Sequence, residues 1–152
     1  MPDHPKGYVH RQRGLRPSNA DMADAYRRNK HEHAAEFTLA VQKLMITEAR
    51  NAGKHINATV HAVSTEPTHV HVLLSWSHKR TWKSMRSSIR RAMTTALNKG
   101  FGKRTWFSDA PSRKRARDQA HFDYLILHYL PKHSGAKWFR EEDVKAARAR
   151  AQ

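Results

Sequence analysis

Cysteine is absent from the 152 residues. That removes disulfides, thiolate zinc sites and cysteine nucleophiles together, and it suits an intracellular protein. Acidic residues are scarce: 13 Asp and Glu stand against 29 Lys and Arg, a net charge of +16 with the histidines neutral. Such an excess is the electrostatic footprint of a phosphate-backbone binder, so nucleic acid is the first partner to expect. No apolar run approaches the roughly 20 residues of a membrane span, and the Pro- and His-containing start lacks the apolar core of a secretory signal. The expected setting is therefore cytoplasmic and nucleoid-associated, with no membrane. No H-x-[ST] tripeptide occurs, which disfavours a histidine phosphodiesterase built on paired motifs of that kind. A hydrophobic content of 38% supports one modest core with long polar decorations.

The chain reads as three stretches: a basic arm over 1–33, a main domain over 34–139 and a short charged helix over 140–152. Pro2, Pro5, Gly7, Gly14 and Pro17 punctuate the arm, and Pro17-Ser18-Asn19 opens a short helix from Ala20 to Arg28. The spacing of Phe37, Val41, Leu44, Met45 and Ala49 predicts a helix over 34–52, with Gly53 as its stop. Residues 55–63 alternate, and a turn over 64–68 leads into the β-branched run 68–75, which makes an antiparallel hairpin. Trp82, Met85, Ile89, Ala92, Met93 and Ala96 form the core stripe of a helix over 80–98. Arg80, Lys83, Arg86, Arg90 and Arg91 fall largely on its other faces, and no Asp or Glu occurs between Pro67 and Phe107 to neutralise them. Such a surface suits phosphate contact better than ion pairing.

A short strand over 104–108 is expected to carry Trp106 and Phe107, followed by a basic loop over 111–117 with Arg113, Lys114, Arg115 and Arg117. Asp118 caps a third helix through Phe122, Leu125, Ile126 and Tyr129, which Leu130-Pro131 ends. Trp138 and Phe139 are the anchors of the last helix. The order helix, hairpin, helix, strand, helix suits an α+β domain with helices packed on an antiparallel sheet.

Within the run Thr68-His-Val-His-Val-Leu-Leu-Ser75, His69 and His71 are two apart on a strand and point the same way. Twelve histidines make one such pair unremarkable by chance, but two imidazoles on a rigid strand can grip a divalent cation if a third ligand exists. The third helix offers one twice, at Tyr124/His128 and Tyr129/His133. Positions i and i+4 share a helix face, so a phenol and an imidazole at that spacing can approach one metal ion together.

The pair H-hydrophobic-H on a strand, followed some 55 to 60 residues later by a helix bearing Tyr-x-x-x-ligand, resembles the HUH single-tyrosine transposases, a family that includes the REP-associated tyrosine transposases. The resemblance spans roughly 34–139. It implies a ferredoxin-like or RRM-like fold, a homodimer, hairpin-bearing single-stranded DNA as substrate, and cleavage through a 5′-phosphotyrosine. His69 and His71 match the family's histidine pair, and Mg²⁺ or Mn²⁺ is the implied cofactor. The family's third ligand is commonly Gln or Asn after the tyrosine; here it would be a histidine. The tyrosine sits late in the family's helix, which favours Tyr129 with His133 over Tyr124 with His128, and both pairs stay open on the sequence alone. Residues 5–14 stand either for the family's first strand or for a loop that follows it. In the second case a strand is missing, to be supplied by another subunit, or the copy is degenerate. The competing class is a non-catalytic or domesticated RRM-like module for single-stranded nucleic acid, with Trp76, Trp106 or Phe107 stacking on bases and no metal. A structural zinc site is a poorer reading without cysteine.

Overall fold

The structure, a computed structural model, describes Pro5 and residues 8–10, 14–28, 35–108 and 112–152. Parts of the arm and of the basic loop, Pro111 among them, lie outside the described residues. The chain divides into two compact units, Met1–His33 and Ala34–Gln152. In the first, β1 (Tyr8–His10) pairs antiparallel with β2 (Gly14–Arg16), and α1 (Ala20–Arg28) follows. Asn19 caps α1, its Oδ1 accepting from the Met22 N–H at 2.8 Å.

The second unit is α+β. Its elements are α2 (Leu39–His55), β3 (Thr59–Thr65), β4 (Val70–Ser75), α3 (Trp82–Phe101), α4 (Gln119–Tyr124), β5 (Lys137–Phe139) and α5 (Glu141–Arg150). The three strands form an antiparallel sheet in the order β4-β3-β5. β3 is thus central, and it is buried on both faces from Ala62 to Thr65. On one face Val60, Val63, Val70, Val72 and Leu74 meet Val41, Met45 and Ala49 of α2 and Ile89, Met93 and Leu97 of α3. On the other, Ala62 and Leu73 meet Phe122, Ile126 and Leu130, together with Val144 and Ala147 of α5. α5 therefore belongs to the main unit's second core and is not an appendage. Arg150 secures it further by donating to both carboxylate oxygens of Asp123 at 2.8 Å, which holds that carboxyl down to about 2.

Three elements differ from expectation. Gly53 does not stop α2 but lies inside it, buried, because a Cβ there would strike the Val60 side chain across the helix–sheet contact. The turn comes later, at Asn57 with φ 53°, a left-handed position that asparagine tolerates. The segment 104–108 is not a strand. Side chains of α3 hold it instead: Asn98 Oδ1 accepts from Trp106 Nε1 at 2.9 Å, and Arg90 Nη2 donates to the Phe107 carbonyl at 2.9 Å. The third helix is also irregular, passing from α4 into a π-helical turn over Leu125–Tyr129 and a 3-10 turn over Leu130–Lys132. Pro131 has no N–H for an α-helical bond and its ring crowds the preceding turn, so the chain widens before it.

β5, which the sequence reading lacked, follows a tight passage at Gly135. The Gly135 N–H donates to the Thr65 carbonyl at 2.9 Å. Buried Gln42 accepts from the Ala136 N–H at 2.8 Å and donates to the Phe37 carbonyl at 2.7 Å. A Cβ on Gly135 would collide with the Thr65 carbonyl oxygen and Gln42 Oε1. Gly135→Ala is therefore expected to lower stability by about 1–3 kcal/mol, the range for overpacking a tight site. A urea midpoint within error of wild type would show that the passage relaxes freely.

Candidate active site

β4 carries only His71 of the histidine pair, where both were expected on the strand, and its alternation sends successive side chains to opposite faces. Val70, Val72 and Leu74 enter the core shared with α2 and α3, which leaves His71 and Leu73 on the face toward α4. His69 stands just before the strand, its ring stacked on that of His71 at 6.4 Å between centroids and 10° between planes. Turn contacts fix its backbone: the Glu66 N–H donates to the His69 carbonyl at 2.8 Å.

Opposite lies the irregular end of the third helix. The Tyr129 ring is 6.1 Å from His71 and 5.2 Å from His133, nearly perpendicular to each, and His71 and His133 are 4.4 Å apart. The structure thus brings Tyr129, His133 and His71 to one spot with His69 at its rim. Tyr124 and His128 face each other at 5.8 Å, and their ring contacts among the described residues are with each other, apart from the strand histidines.

The arrangement is anchored through one carbonyl. Leu130 O accepts from Ser64 Oγ at 2.9 Å and from His133 Nδ1 at 3.1 Å. Ser64 is the cross-strand partner of His71, so one β3 residue ties the helix end to the strand of the pair. A carbonyl only accepts; His133 Nδ1 therefore carries the proton in this bond, and Nε2 keeps a free lone pair, the usual way a ligating imidazole is oriented. Ser64 and Glu66 were not singled out from sequence. The turn before the strand placed Glu66 near the pair, and nothing local marked Ser64.

Burial is the main cause that lowers the His71 pKa below its ordinary 6.5; positive charge on His133, His69 and Lys114 adds to it, and Glu66 opposes. His71 is therefore neutral at pH 7, with a lone pair to give. Its protonation disfavours the native state: the stability its neutral form contributes is complete above pH 6.5 and is lost as pH falls from there through the lowered folded value. In an NMR titration the His71 ring is expected to titrate below 6.5, and His133→Asn to raise that midpoint without restoring it fully, since burial remains. A midpoint unchanged by His133→Asn would separate the two rings electrostatically.

The donor set can be tested against a metal ion by geometry. An imidazole bound at about 2.1 Å has its ring centre about 3.2 Å from the ion, so two at about 90–110° on one ion stand roughly 4.5–5.3 Å apart. The 4.4 Å between His71 and His133 falls just short of this range, and the 6.4 Å between His69 and His71 is a separation that only opposed ligands reach, which two near-parallel neighbouring rings are not. The His69 side chain is 66% exposed, with Nδ1 held 2.6 Å from Thr68 Oγ1 and 3.9 Å from a Glu66 carboxylate oxygen, so it would have to leave these neighbours to join the other two rings. In keeping with that separation, no group of three His, Cys, Asp or Glu among the described residues is already gathered around one point.

The cations named from sequence divide into two sets. Arg80 is engaged internally, its guanidinium donating to Ser84 Oγ and Ser88 Oγ at 2.9 and 2.6 Å, and Arg90 holds the Phe107 carbonyl. Lys83, Arg86 and Arg113 gather about the Trp82 ring, while Arg91, Lys114, Arg115 and Arg117 are exposed. Of the aromatics considered for stacking, Trp106 is 6% exposed and part of the core, Phe107 packs on Phe37 at 5.9 Å, and Trp76 Nε1 donates to the Arg80 carbonyl. No described helix is long and apolar enough to cross a membrane. Comparison of the chain with family models, with curated proteins and with solved structures gives no match.

Proposed function

We propose that this chain is a metal-dependent DNA transesterase of the HUH single-tyrosine type, a tyrosine transposase or single-stranded DNA endonuclease with a ferredoxin-like core that works as a homodimer on hairpin-bearing DNA in the cytoplasm, at the nucleoid. The observation that carries the reading is the meeting of Tyr129 and His133 with His71 across the sheet face. Attack of Tyr129 Oη on a backbone phosphorus forms an O–P bond and breaks the P–O3′ bond, leaving 5′-phosphotyrosine and a 3′-hydroxyl that takes a proton. The phosphodiester energy is kept for rejoining. A free phenol, with a pKa of about 10, is a weak nucleophile at pH 7, so the proton must leave as the bond forms.

His69, His71 and His133 would hold the ion, Mg²⁺ or Mn²⁺, which supplies Lewis-acid polarisation of the phosphate when bound. Three imidazoles are softer than the usual magnesium shell and favour manganese. His133, fixed through Leu130 O, sets the position of the pair relative to Tyr129. The exposed cations draw the strand in.

The test is direct. The protein is incubated with labelled single-stranded DNA and Mn²⁺, and a denaturation-resistant, protease-sensitive adduct is expected on a gel. Its absence in folded, metal-loaded protein would leave the second reading, a non-catalytic single-stranded nucleic-acid module, which the outlying position of His69 favours.

A further inference from the structure

Trp82, expected from its spacing to join the core stripe of α3, sits outside both core clusters. Three cations surround its ring instead. Arg113 Cζ lies 4.7 Å from the ring centroid, Arg86 Cζ 5.5 Å and Lys83 Nζ 6.0 Å, all within cation–π range. The sequence holds no Asp or Glu from 67 to 108, and among the described residues none of the three cations has a carboxylate partner. Like charges drawn onto one indole repel each other, and the arrangement lacks only an anion. Arg86 adds an independent sign, since its Nε is the one buried side-chain polar atom among the described residues without a hydrogen-bond partner. Buried donors are almost always satisfied, so this N–H calls for an acceptor from water or from a ligand.

We infer that Trp82, Arg86 and Arg113 form a phosphate clamp that takes two backbone phosphates of single-stranded DNA, a deepening that rests on the transesterase reading for the identity of the strand. The ring's π surface is already engaged by guanidiniums, so the site offers N–H edges to phosphate oxygens and little free surface to a base. Arg113 comes from the loop after residue 111 and Arg86 from α3, and Trp82 holds the two together. Lys114, next to Arg113, is near enough to His71 for its charge to act there, so the loop that carries Arg113 runs on the side of the proposed site.

The experiment measures affinity for a thymidine oligonucleotide, and for an abasic one of equal phosphate count, by fluorescence anisotropy across salt. Each phosphate neutralised contributes about 0.7 to the log–log slope, so Trp82→Leu should lower the slope by about 1.4; between about 50 and 200 mM salt the loss of affinity then shrinks about sevenfold. The double variant Arg86→Ala/Arg113→Ala should give the same fall on both oligonucleotides, and it carries the test should Trp82→Leu fail to fold. An unchanged slope in the double variant, or a loss confined to the base-bearing strand, would overturn the clamp. The adduct assay is independent: wild-type adduct with an unchanged variant slope removes the clamp alone, and a lowered slope with no wild-type adduct removes the transesterase alone.

Discussion

Tyr129→Phe is expected to abolish the covalent protein–DNA adduct, a loss of about 10³-fold or more, because it deletes the attacking oxygen and nothing else of comparable reach replaces it. The ring's contacts with His71 and His133 are made by its faces and edges and survive the change. The side chain is 37% exposed and its hydroxyl has no hydrogen-bond partner among the described residues, so stability should move by less than about 0.5 kcal/mol, as for ordinary surface substitutions. Affinity for single-stranded DNA should also hold, since it comes from the cations. Tyr124→Phe should still give adduct, its ring facing His128 and not the strand pair. Mass spectrometry of the trapped peptide decides between them. A DNA remnant on Tyr124 would overturn the assignment and move the third ligand to His128.

His71→Ala comes second in size. The residue stands between His69 and His133, and its neutral nitrogen is the central donor of the proposed set. Its removal should lower Mn²⁺-dependent adduct formation by about 100-fold or more, several kcal/mol of transition-state stabilisation being what such an ion supplies. DNA affinity should stay within about threefold, because phosphate contacts from Lys and Arg supply most of it. His133→Ala should match this loss, and His69→Ala should follow if its exposed side chain swings inward on metal binding. Calorimetric titration with Mn²⁺, in the presence of DNA, is the control. A wild type that binds no Mn²⁺ would remove the metal site, and a His71→Ala protein that is simply unfolded would make the imidazole a structural group of the half-buried strand.

Much of the site is written locally in the chain. The apolar alternation Val70, Val72, Leu74 fixes which face of β4 meets α2 and α3, and in doing so fixes that His71 faces the other way. The stripe Met85, Ile89, Met93 orients α3 in the same manner. Both follow from covalent periodicities of 2.0 and 3.6 residues, which depend on no distant contact. Where punctuation was read as an independent signal it misled. Gly53 looked like a helix stop and is a close approach to Val60, and residues 104–108 have the composition of a strand but take their bonds from Asn98 and Arg90.

The sequence by itself determined that His71 faces away from the α2–α3 core, that two tyrosine–histidine pairs follow it at i, i+4 spacing, and that the chain is strongly positive. Which pair lies beside His71 appears only in the tertiary structure. The Tyr129 pair reaches His71 because the helix widens into a π turn ahead of Pro131 and its end is drawn to the sheet by Ser64 through the Leu130 carbonyl, a contact between residues 66 positions apart. The same holds for β5, three residues whose pairing exists because Gly135 passes close to Thr65 and Gln42. It holds too for the cations about Trp82, gathered from a helix and a loop. Periodicity specifies the face of an element within a few residues; which faces then meet depends on side chains distant in sequence, whose contact energies arise only once the chain has closed on itself.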